Sequence, residues 1–266
     1  MAKTILVTGS TDGIGFEAAK SMVSLGHNVL LHGRNEKKLA STEALLADLL
    51  KDGSVECYQA DLSDMADVEG LAKTVAQRHE KLDVLINNAG VFKTANPVTD
   101  AGLDIRFVVN TIAPYLLTQR LLPRISQEGR VINLSSAAQA SVNLEALLGH
   151  VRLSDGAAYA QSKLALTMWS RVLALKQESP AIIAVNPGSM LGTKMVKQAF
   201  GVAGGDIRIG ADILTRAALA DEFATASGDY FDNDAGQFAS PHRDALNLQK
   251  SEAVVHTIET ILTPYL

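Results

Sequence analysis

The sequence predicts an α/β fold in which a central parallel sheet of about seven strands carries helices on both faces in a doubly wound arrangement. Short runs of apolar and β-branched residues alternate along the chain with longer segments of helical periodicity. Right-handed strand–helix–strand units produce this order. The chain has 266 residues, of which 47% are hydrophobic, and this is enough for one sizeable core. We therefore predict a single domain over residues 1–266.

The overall composition argues against several classes of function. The net charge is −5, the pI is about 5.7, and Lys and Arg form no cluster, so we expect no binding to nucleic acid or to an anionic membrane surface. Cys57 is the only cysteine and the six histidines are scattered, which predicts neither a disulfide nor a metal site. We find no apolar run of membrane-spanning length and no signal-peptide pattern, and we expect a cytoplasmic protein.

A strand from Lys3 to Thr8 is followed by a glycine-rich turn and then by a helix from Phe16 to Leu25. Glycine permits a tight turn and a close approach of a ligand, and the free N–H groups at a helix start attract a pyrophosphate. Three glycines alone are weak evidence, but their place between a strand and a helix predicts a nucleotide site. The cofactor contacts expected here are Gly9, Ser10, Thr11, Asp12, Gly13, Ile14 and Gly15.

The second strand, Asn28–His32, leads to Arg34 and Asn35 at the start of a helix that extends to Leu50. Folds that bind NAD usually place an acidic residue here, against the ribose 2′-hydroxyl. Arg34 instead offers a planar, permanently charged group suited to a 2′-phosphate. We therefore predict NADP(H) as the cofactor, with Arg34 and Asn35 among its contacts. The alternative is that Arg34 merely opens a solvated helix.

The third strand, Val55–Gln59, ends shortly before Asp61 and Leu62, and a helix follows from Asp64 to His79. Asp61 is suited to accept a hydrogen bond from an adenine amino group, and it is equally suited to cap the next helix. We include Asp61 and Leu62 among the expected cofactor contacts.

The fourth strand, Asp83–Ile86, ends in two amides and two small residues. Small residues let the backbone lie against a bound nucleoside, although a plain turn has the same composition. The expected cofactor contacts here are Asn88, Ala89 and Gly90.

A long helix from Asp104 to Leu122 contains Asn110 and Pro114. Because proline has no N–H group, the main-chain carbonyl of Asn110 loses its helical partner. A water or a ligand must then satisfy that carbonyl. The alternative is a kink that affects only the shape of the helix.

The fifth strand, Arg130–Leu134, places Ser136 at its carboxyl end, where open α/β sheets bind their ligands. The loop of residues 137–156 then carries several apolar residues. They either line an apolar substrate pocket or pack against the body of the protein.

The helix from Ala157 to Lys176 carries a phenol and an ammonium four residues apart, Tyr159 and Lys163. This spacing puts both side chains on one face, so a protonated Lys163 is expected to lower the pKa of Tyr159 and let it act as an acid or base. Taken alone, the pair fits a solvated helix surface better than a catalytic site. Apolar residues surround the helix on more than one face, so we expect a second subunit to cover it in a homodimer or homotetramer.

The last elements are a strand from Ala181 to Val185, a helix near Ala211–Ala220, a strand around Tyr230–Phe231 and a helix from Ala245 to about Leu262. Pro187 and Gly188 follow the first of these strands and complete the expected cofactor contacts. The irregular stretch that continues to about Asp206 is where a mobile substrate lid is expected.

In order and spacing, these motifs resemble those of the short-chain dehydrogenase/reductase family over nearly the whole chain. The resemblance implies a Rossmann-type fold and a small-molecule carbonyl or alcohol substrate that exchanges hydride with NADP(H). Tyr159 would protonate the reduced oxygen, Ser136 would hydrogen-bond the carbonyl, and Lys163 would hold the nicotinamide ribose. The carbonyl of Asn110 would hold the water that returns the proton. The implied catalytic residues are Asn110, Ser136, Tyr159 and Lys163.

Two features depart from the usual pattern of that family. Thr193 lies five residues after Gly188 rather than four, and the segment between Ser136 and Tyr159 is longer than in compact members. The long segment resembles the branch that contains retinol dehydrogenases and protochlorophyllide reductases, which implies a larger apolar substrate. Substrate does not follow from fold, however. The alternatives are another enzymatic reaction, either reduction of an activated C=C bond or an epimerisation, and a non-catalytic NADPH-binding sensor or scaffold.

Overall fold

Eight strands form one sheet in the computed structural model, which describes residues 1–176 and 180–265. The strands are β1 (Thr4–Val7), β2 (Asn28–Gly33), β3 (Val55–Gln59), β4 (Leu82–Asn87), β5 (Ile125–Leu134), β6 (Ala181–Asn186), β7 (Tyr230–Asp232) and β8 (Gln237–Ala239). Their order is β3-β2-β1-β4-β5-β6-β7-β8, and all neighbours are parallel except β7 and β8. The strand order reverses between β1 and β4, so their carboxyl ends border the crevice where such sheets bind ligands.

Helices cover both faces of the sheet. The α-helices are α1 (Gly13–Ser24), α2 (Glu36–Ala47), α3 (Met65–Arg78), α4 (Ile105–Phe107), α5 (Ala113–Leu121), α6 (Leu144–Leu147), α7 (Asp155–Lys176), α8 (Lys194–Phe200), α9 (Arg208–Leu219) and α10 (Leu248–Ile261). Buried side chains of α1, α2 and α9 form one core cluster, and those of α3, α5, α7 and α10 form another. Within β1, Ile5 and Val7 join the first cluster while Leu6 joins the second, as the twofold alternation of a strand requires.

The predicted doubly wound fold is confirmed, with eight strands instead of about seven. The extra strand, β8, has only three residues and pairs antiparallel with β7, so it is too short to give a recognisable hydrophobic pattern. Several predicted bounds were wrong by a few residues: α1 begins at Gly13 rather than Phe16, α2 ends at Ala47 rather than Leu50, β5 begins at Ile125 rather than Arg130, α9 begins at Arg208 rather than Ala211, and α10 begins at Leu248 rather than Ala245. In addition, α8 occupies part of the stretch that we expected to be irregular.

The helix predicted from Asp104 to Leu122 is not continuous. It consists of α4, a π-helical turn over Val108–Ile112 and α5. In the π-turn the N–H group of Ala113 donates to the carbonyl of Val108, five residues earlier. Single π-turns inside helices frequently mark functional sites, and this one contains Asn110.

The apolar faces of α7 are covered within the chain itself. The helix lies on β6 on one side, while α10, α4 and the π-turn lie against it elsewhere. Trp169 and Leu164 are fully buried, whereas Leu175 near the end of the helix is 68% exposed. A second subunit is therefore not needed to cover this helix, and our reason for placing an interface there was wrong.

The long loop after Ser136 contains α6 and packs mainly against the body of the protein. Leu147 is fully buried, and Leu144 and Leu153 pack against the same core cluster. Among the large apolar residues of this loop, only Val151, which is 40% exposed, faces solvent to a large extent. Of the two alternatives for these residues, packing on the body describes most of them.

Candidate active site

The glycine turn between β1 and α1 packs closely against the end of β4 because Gly9 has no side chain. Gly9 has a φ of +65°, and a Cβ atom there would lie 2.9 Å from the Cα atom of Ala89. The side-chain amide of Asn88 donates to the carbonyls of Thr8 (2.8 Å) and Gly9 (3.1 Å). Asn88 and Ala89 therefore hold the turn against the end of β4.

His32, which we did not single out from the sequence, also supports this turn. The Gly9 N–H group donates to its Nδ1 at 3.1 Å, and its Nε2 lies 3.2 Å from the carbonyl of Ala60. Ser10 pairs with the backbone of the same histidine. Burial lowers the pKa of His32 to about 4, so the ring is neutral and Nδ1 is free to accept. No short-range signal in the sequence reveals this role, because Gly9, His32 and Ala60 lie at the ends of three different strands.

Arg34 and Asp61 lie together at the carboxyl ends of β2 and β3. The Nη1 of Arg34 lies 3.8 Å from Oδ2 of Asp61, and the two side chains are 62% and 40% exposed. Asn35 caps α2 by accepting a hydrogen bond from the N–H group of Lys38, which is a structural role. Asp61 accepts from Ser63 through its other carboxylate oxygen, so it caps the following turn as well as facing Arg34.

The remaining predicted cofactor residues lie around the same crevice, at the ends of β1, β3, β4 and β6. Asp12 caps α1 and forms an ion pair with Lys194 at the start of α8. Leu62 buries its side chain in the core, so only its backbone can face a ligand. Thr193, whose role the sequence left open, caps α8. The other predicted contacts at these strand ends are Thr11, Gly13, Ile14, Gly15, Gly90, Pro187 and Gly188.

The structure brings Tyr159 and Lys163 together on one face of α7, as predicted. The Nζ atom of Lys163 lies 5.8 Å from the centre of the Tyr159 ring. The same amine is buried and donates to the carbonyl of Leu134 at 2.7 Å. Lys163 is therefore anchored to the end of β5 as well as lying beside the phenol.

The predicted pKa shift of Tyr159 was wrong in direction. Burial raises the pKa of Tyr159 above its ordinary value, and the hydrogen bond with the Ser136 side chain opposes this only in part. Burial also lowers the pKa of Lys163 to about 8. A buried amine and a buried phenol both favour their neutral forms, which the sequence spacing could not show.

Asn110 and Ser136 complete the predicted group. Ser136 lies two residues after the end of β5, with its hydroxyl close enough to the Tyr159 phenol to oppose the rise in the pKa of Tyr159. The fully buried amide of Asn110 accepts from the N–H group of Val91 at 2.8 Å and donates to the Val91 carbonyl at 3.0 Å. It also donates to the hydroxyl of Ser162. The side chain of Asn110 therefore joins the segment after β4 to α7.

Two aromatic residues beside Tyr159 were not predicted. The ring centre of Phe92 lies 4.7 Å from that of Tyr159 and 5.6 Å from that of Phe200, the last residue of α8. Phe200 is 54% exposed. These rings therefore form a continuous aromatic wall beside Tyr159. The sequence gives no signal for it, since the three residues are far apart in the chain.

The glycine turn, the helix start and Arg34 fit a dinucleotide with a 2′-phosphate. The N-terminus of α1 favours a pyrophosphate, and the exposed Arg34 lies beside the carboxylate of Asp61. Among residues 1–176 and 180–265, no group of three or more His, Cys, Asp or Glu side chains is arranged to hold a metal ion. In the same residues no helix is long and apolar enough to cross a membrane.

Comparisons with known proteins agree on one family. The family model described as short chain dehydrogenase matches residues 3–201. Polyprenol dehydrogenase of Homo sapiens is 32% identical over 210 residues, which are 74% of this chain but only 63%, less than two thirds, of that protein. Retinol dehydrogenase 13 of Mus musculus is 31% identical over 263 residues, 91% of this chain and 79% of that protein.

A solved structure with a bound cofactor is also similar. The crystal structure of the angucycline C-6 ketoreductase LanV with bound NADP superposes with a TM-score of 0.70 at 26% identity. The superposition covers 87% of this chain and 93% of that one.

Proposed function

This chain belongs to the short-chain dehydrogenase/reductase family and resembles its retinol dehydrogenase branch, and we propose that it catalyses the NADP(H)-dependent reduction of a carbonyl group or the reverse oxidation of an alcohol. The observation that carries the proposal is the meeting of Tyr159, Lys163, Ser136 and Asn110 at the carboxyl ends of β4 and β5. Four residues from three separate elements converge where open α/β sheets bind their ligands. A sensor or scaffold on the same fold has no need of this convergence.

Each residue has a distinct role in this proposal. NADPH, when bound, supplies the hydride. Tyr159 donates a proton to the developing alkoxide, and Ser136 hydrogen-bonds the same oxygen. Lys163 holds the nicotinamide ribose, and in that complex its positive charge favours the phenolate that remains after proton transfer. The main-chain carbonyl of Asn110 holds the water from which Tyr159 recovers its proton.

The preference for NADP(H) over NAD(H) is supported by Arg34. Its guanidinium lies at the end of β2, where the ribose of a dinucleotide is expected, and no acidic residue follows β2 directly. The similarity to a ketoreductase with bound NADP points in the same direction.

A bulky apolar substrate is supported by the aromatic wall beside Tyr159. Phe92 and Phe200 line the approach to the phenol, and burying such rings against an apolar substrate is favourable. The relatives whose names refer to polyprenol and retinol have apolar substrates in those names. We extend this substrate class to the present chain as a proposal.

The test is to measure NADPH oxidation by the purified protein against aldehydes and ketones of increasing size, with Tyr159→Phe as the catalytic variant. Removing a general acid should lower kcat by about a hundredfold or more, while NADPH affinity and the unfolding temperature stay near wild type. Tyr58→Phe is the matched control, because the Tyr58 hydroxyl bonds Glu56 on β3 and His79 just after α3, away from the site. Retention of turnover by Tyr159→Phe would refute the proposal.

The products of the same assay separate this reaction from its alternative. Carbonyl reduction yields an alcohol from a saturated ketone. Reduction of an activated C=C bond would instead consume enones and leave saturated ketones untouched.

A further inference from the structure

Arg106 is a buried arginine one turn before Asn110, and it has no role in the chemistry proposed above. It is 1% exposed. Its Nε and Nη2 atoms bind the two carboxylate oxygens of Asp104 at 2.8 and 2.6 Å. A bidentate pair of this kind fixes the plane of the guanidinium, and it leaves Nη1 to be directed elsewhere.

The Nη1 atom of Arg106 connects two segments that are far apart in the sequence. It donates to the carboxylate of Asp155 and to the carbonyl of Phe92, the latter at 3.4 Å. Asn110, on the next turn, binds both backbone groups of Val91. Two consecutive residues after β4 are therefore held by two side chains that are one turn apart.

One of these segments carries Tyr159, and the other carries the ring that packs against it. Asp155 is the first residue of α7, one turn before Tyr159. The Phe92 ring lies 4.7 Å from the Tyr159 ring, centre to centre. Arg106 thus fixes the start of the helix that carries the phenol and the backbone of the residue that packs against it.

We propose that Arg106 is a positioning residue that holds Phe92 and the start of α7 together and so fixes the orientation of the Tyr159 ring. Its action is indirect, since the guanidinium binds Asp155 and the Phe92 carbonyl. The kinetic consequence rests on the proposed carbonyl reduction, whereas the structural consequence does not. A misplacement of a catalytic group by about 1 Å can lower the rate a hundredfold. Holding the Tyr159 ring in one orientation therefore preserves the rate of the proposed reaction.

The structural consequence is tested by NMR of protein with labelled tyrosine. The Tyr159 ring resonances are assigned by their absence in Tyr159→Phe, and Phe92→Leu shows where they lie without the Phe92 ring current. We expect Asp155→Asn and Arg106→Lys to move them from the wild-type position. The Asp155 side chain is 44% exposed, so Asp155→Asn leaves the fold intact even if a change at Arg106 does not. Wild-type resonances in Asp155→Asn and in folded Arg106→Lys would overturn the proposal.

Arg120→Met is the matched control. Arg120 binds Glu69 and the carbonyl of Tyr265, so it too joins separate elements by an ion pair, but away from the site. It should leave the Tyr159 resonances unchanged.

Kinetics then separates a positioning role from a general loss of structure. With a substrate in hand, Asp155→Asn should lower kcat by about tenfold to a hundredfold while the Kd for NADPH stays at the wild-type value. In the Tyr159→Phe background the same substitution should have no further effect on residual turnover, because it acts through the missing phenol. Equal losses in both backgrounds would contradict the proposal. A wild-type protein that reduces no carbonyl would count against the proposed function instead, and the NMR result would still decide the role of Arg106.

Discussion

Burial shifts the pKa values of Lys163 and Tyr159 in opposite directions. The amine loses its water shell and its pKa falls to about 8, while the pKa of the phenol rises. Both shifts follow from the cost of a charge in a low-dielectric interior. Near pH 7 the phenol is therefore neutral in the protein alone, while the amine is still mostly charged.

The lowered pKa of Lys163 predicts a pH-dependent stability. Its ordinary value is 10.5 and its value in the fold is about 8, so between these pH values the unfolded chain binds more protons and stability rises with pH. Below pH 8 the charged amine costs about 3 kcal/mol by the same linkage. Lys163→Met removes that cost.

We expect the free energy of unfolding of Lys163→Met minus that of wild type to fall by up to about 3 kcal/mol as the pH rises from 8 to 10.5. Urea unfolding of both proteins at several pH values measures it. A constant difference across the range would show that Lys163 is not desolvated in the fold.

We expect the choice of cofactor to depend on Arg34. A hydrogen bond to a charged group contributes about 1.5–3 kcal/mol, or more than tenfold in affinity. Arg34→Ala should therefore weaken NADPH binding at least tenfold and leave NADH binding nearly unchanged, as measured by fluorescence titration. Arg216→Ala, which removes an exposed arginine paired with Glu222, is the control. Equal affinity of the wild-type protein for NADPH and NADH would remove the basis of the NADP(H) assignment.

At the scale of elements, α10 covers apolar residues of α7 that we expected a second subunit to cover. Ile258 of α10 is fully buried in the same core cluster as Trp169 and Leu173 of α7. The two helices come from distant parts of the chain. Their contact turns an apolar helix surface into part of one core.

Ile258→Ala should lower the free energy of unfolding by about 2–5 kcal/mol, because it removes buried methyl groups and leaves a cavity between α10 and α7. Leu175→Ala, at a position 68% exposed on α7, should change it by less than about 0.5 kcal/mol. Chemical denaturation measures both. A small effect at Ile258 would mean that α10 does not stabilise the fold through this contact.

At the scale of the whole molecule, the sheet order creates the site. The reversal between β1 and β4 brings the glycine turn, the Asn88 turn and Ser136 to one edge, and the π-turn and α7 then supply Asn110 and Tyr159. Residues separated by more than a hundred positions meet because parallel strands share the edge at which they end.

Coverage of α7 by α10 also bears on assembly. We predicted a homodimer or homotetramer from an α7 surface that the fold already buries. We now expect any self-association to use another surface, so Leu175→Lys on α7 should leave the sedimentation coefficient of the wild-type protein unchanged. A shift to smaller species in that variant would restore α7 as an interface.

The sequence by itself determined the alternation of strands and helices, the glycine turn, the position of Arg34 and the four residues of the candidate site. The first three are local features, which periodicity and turn chemistry suffice to reveal; the four site residues followed from the resemblance to the family. The tertiary structure alone decided which residues cover α7, which way the pKa of Tyr159 shifts and that His32, Phe92 and Arg106 lie beside the candidate site. Each of these depends on desolvation or on contact between distant segments. Both are set by which element lies over which, a relation that no short stretch of sequence contains.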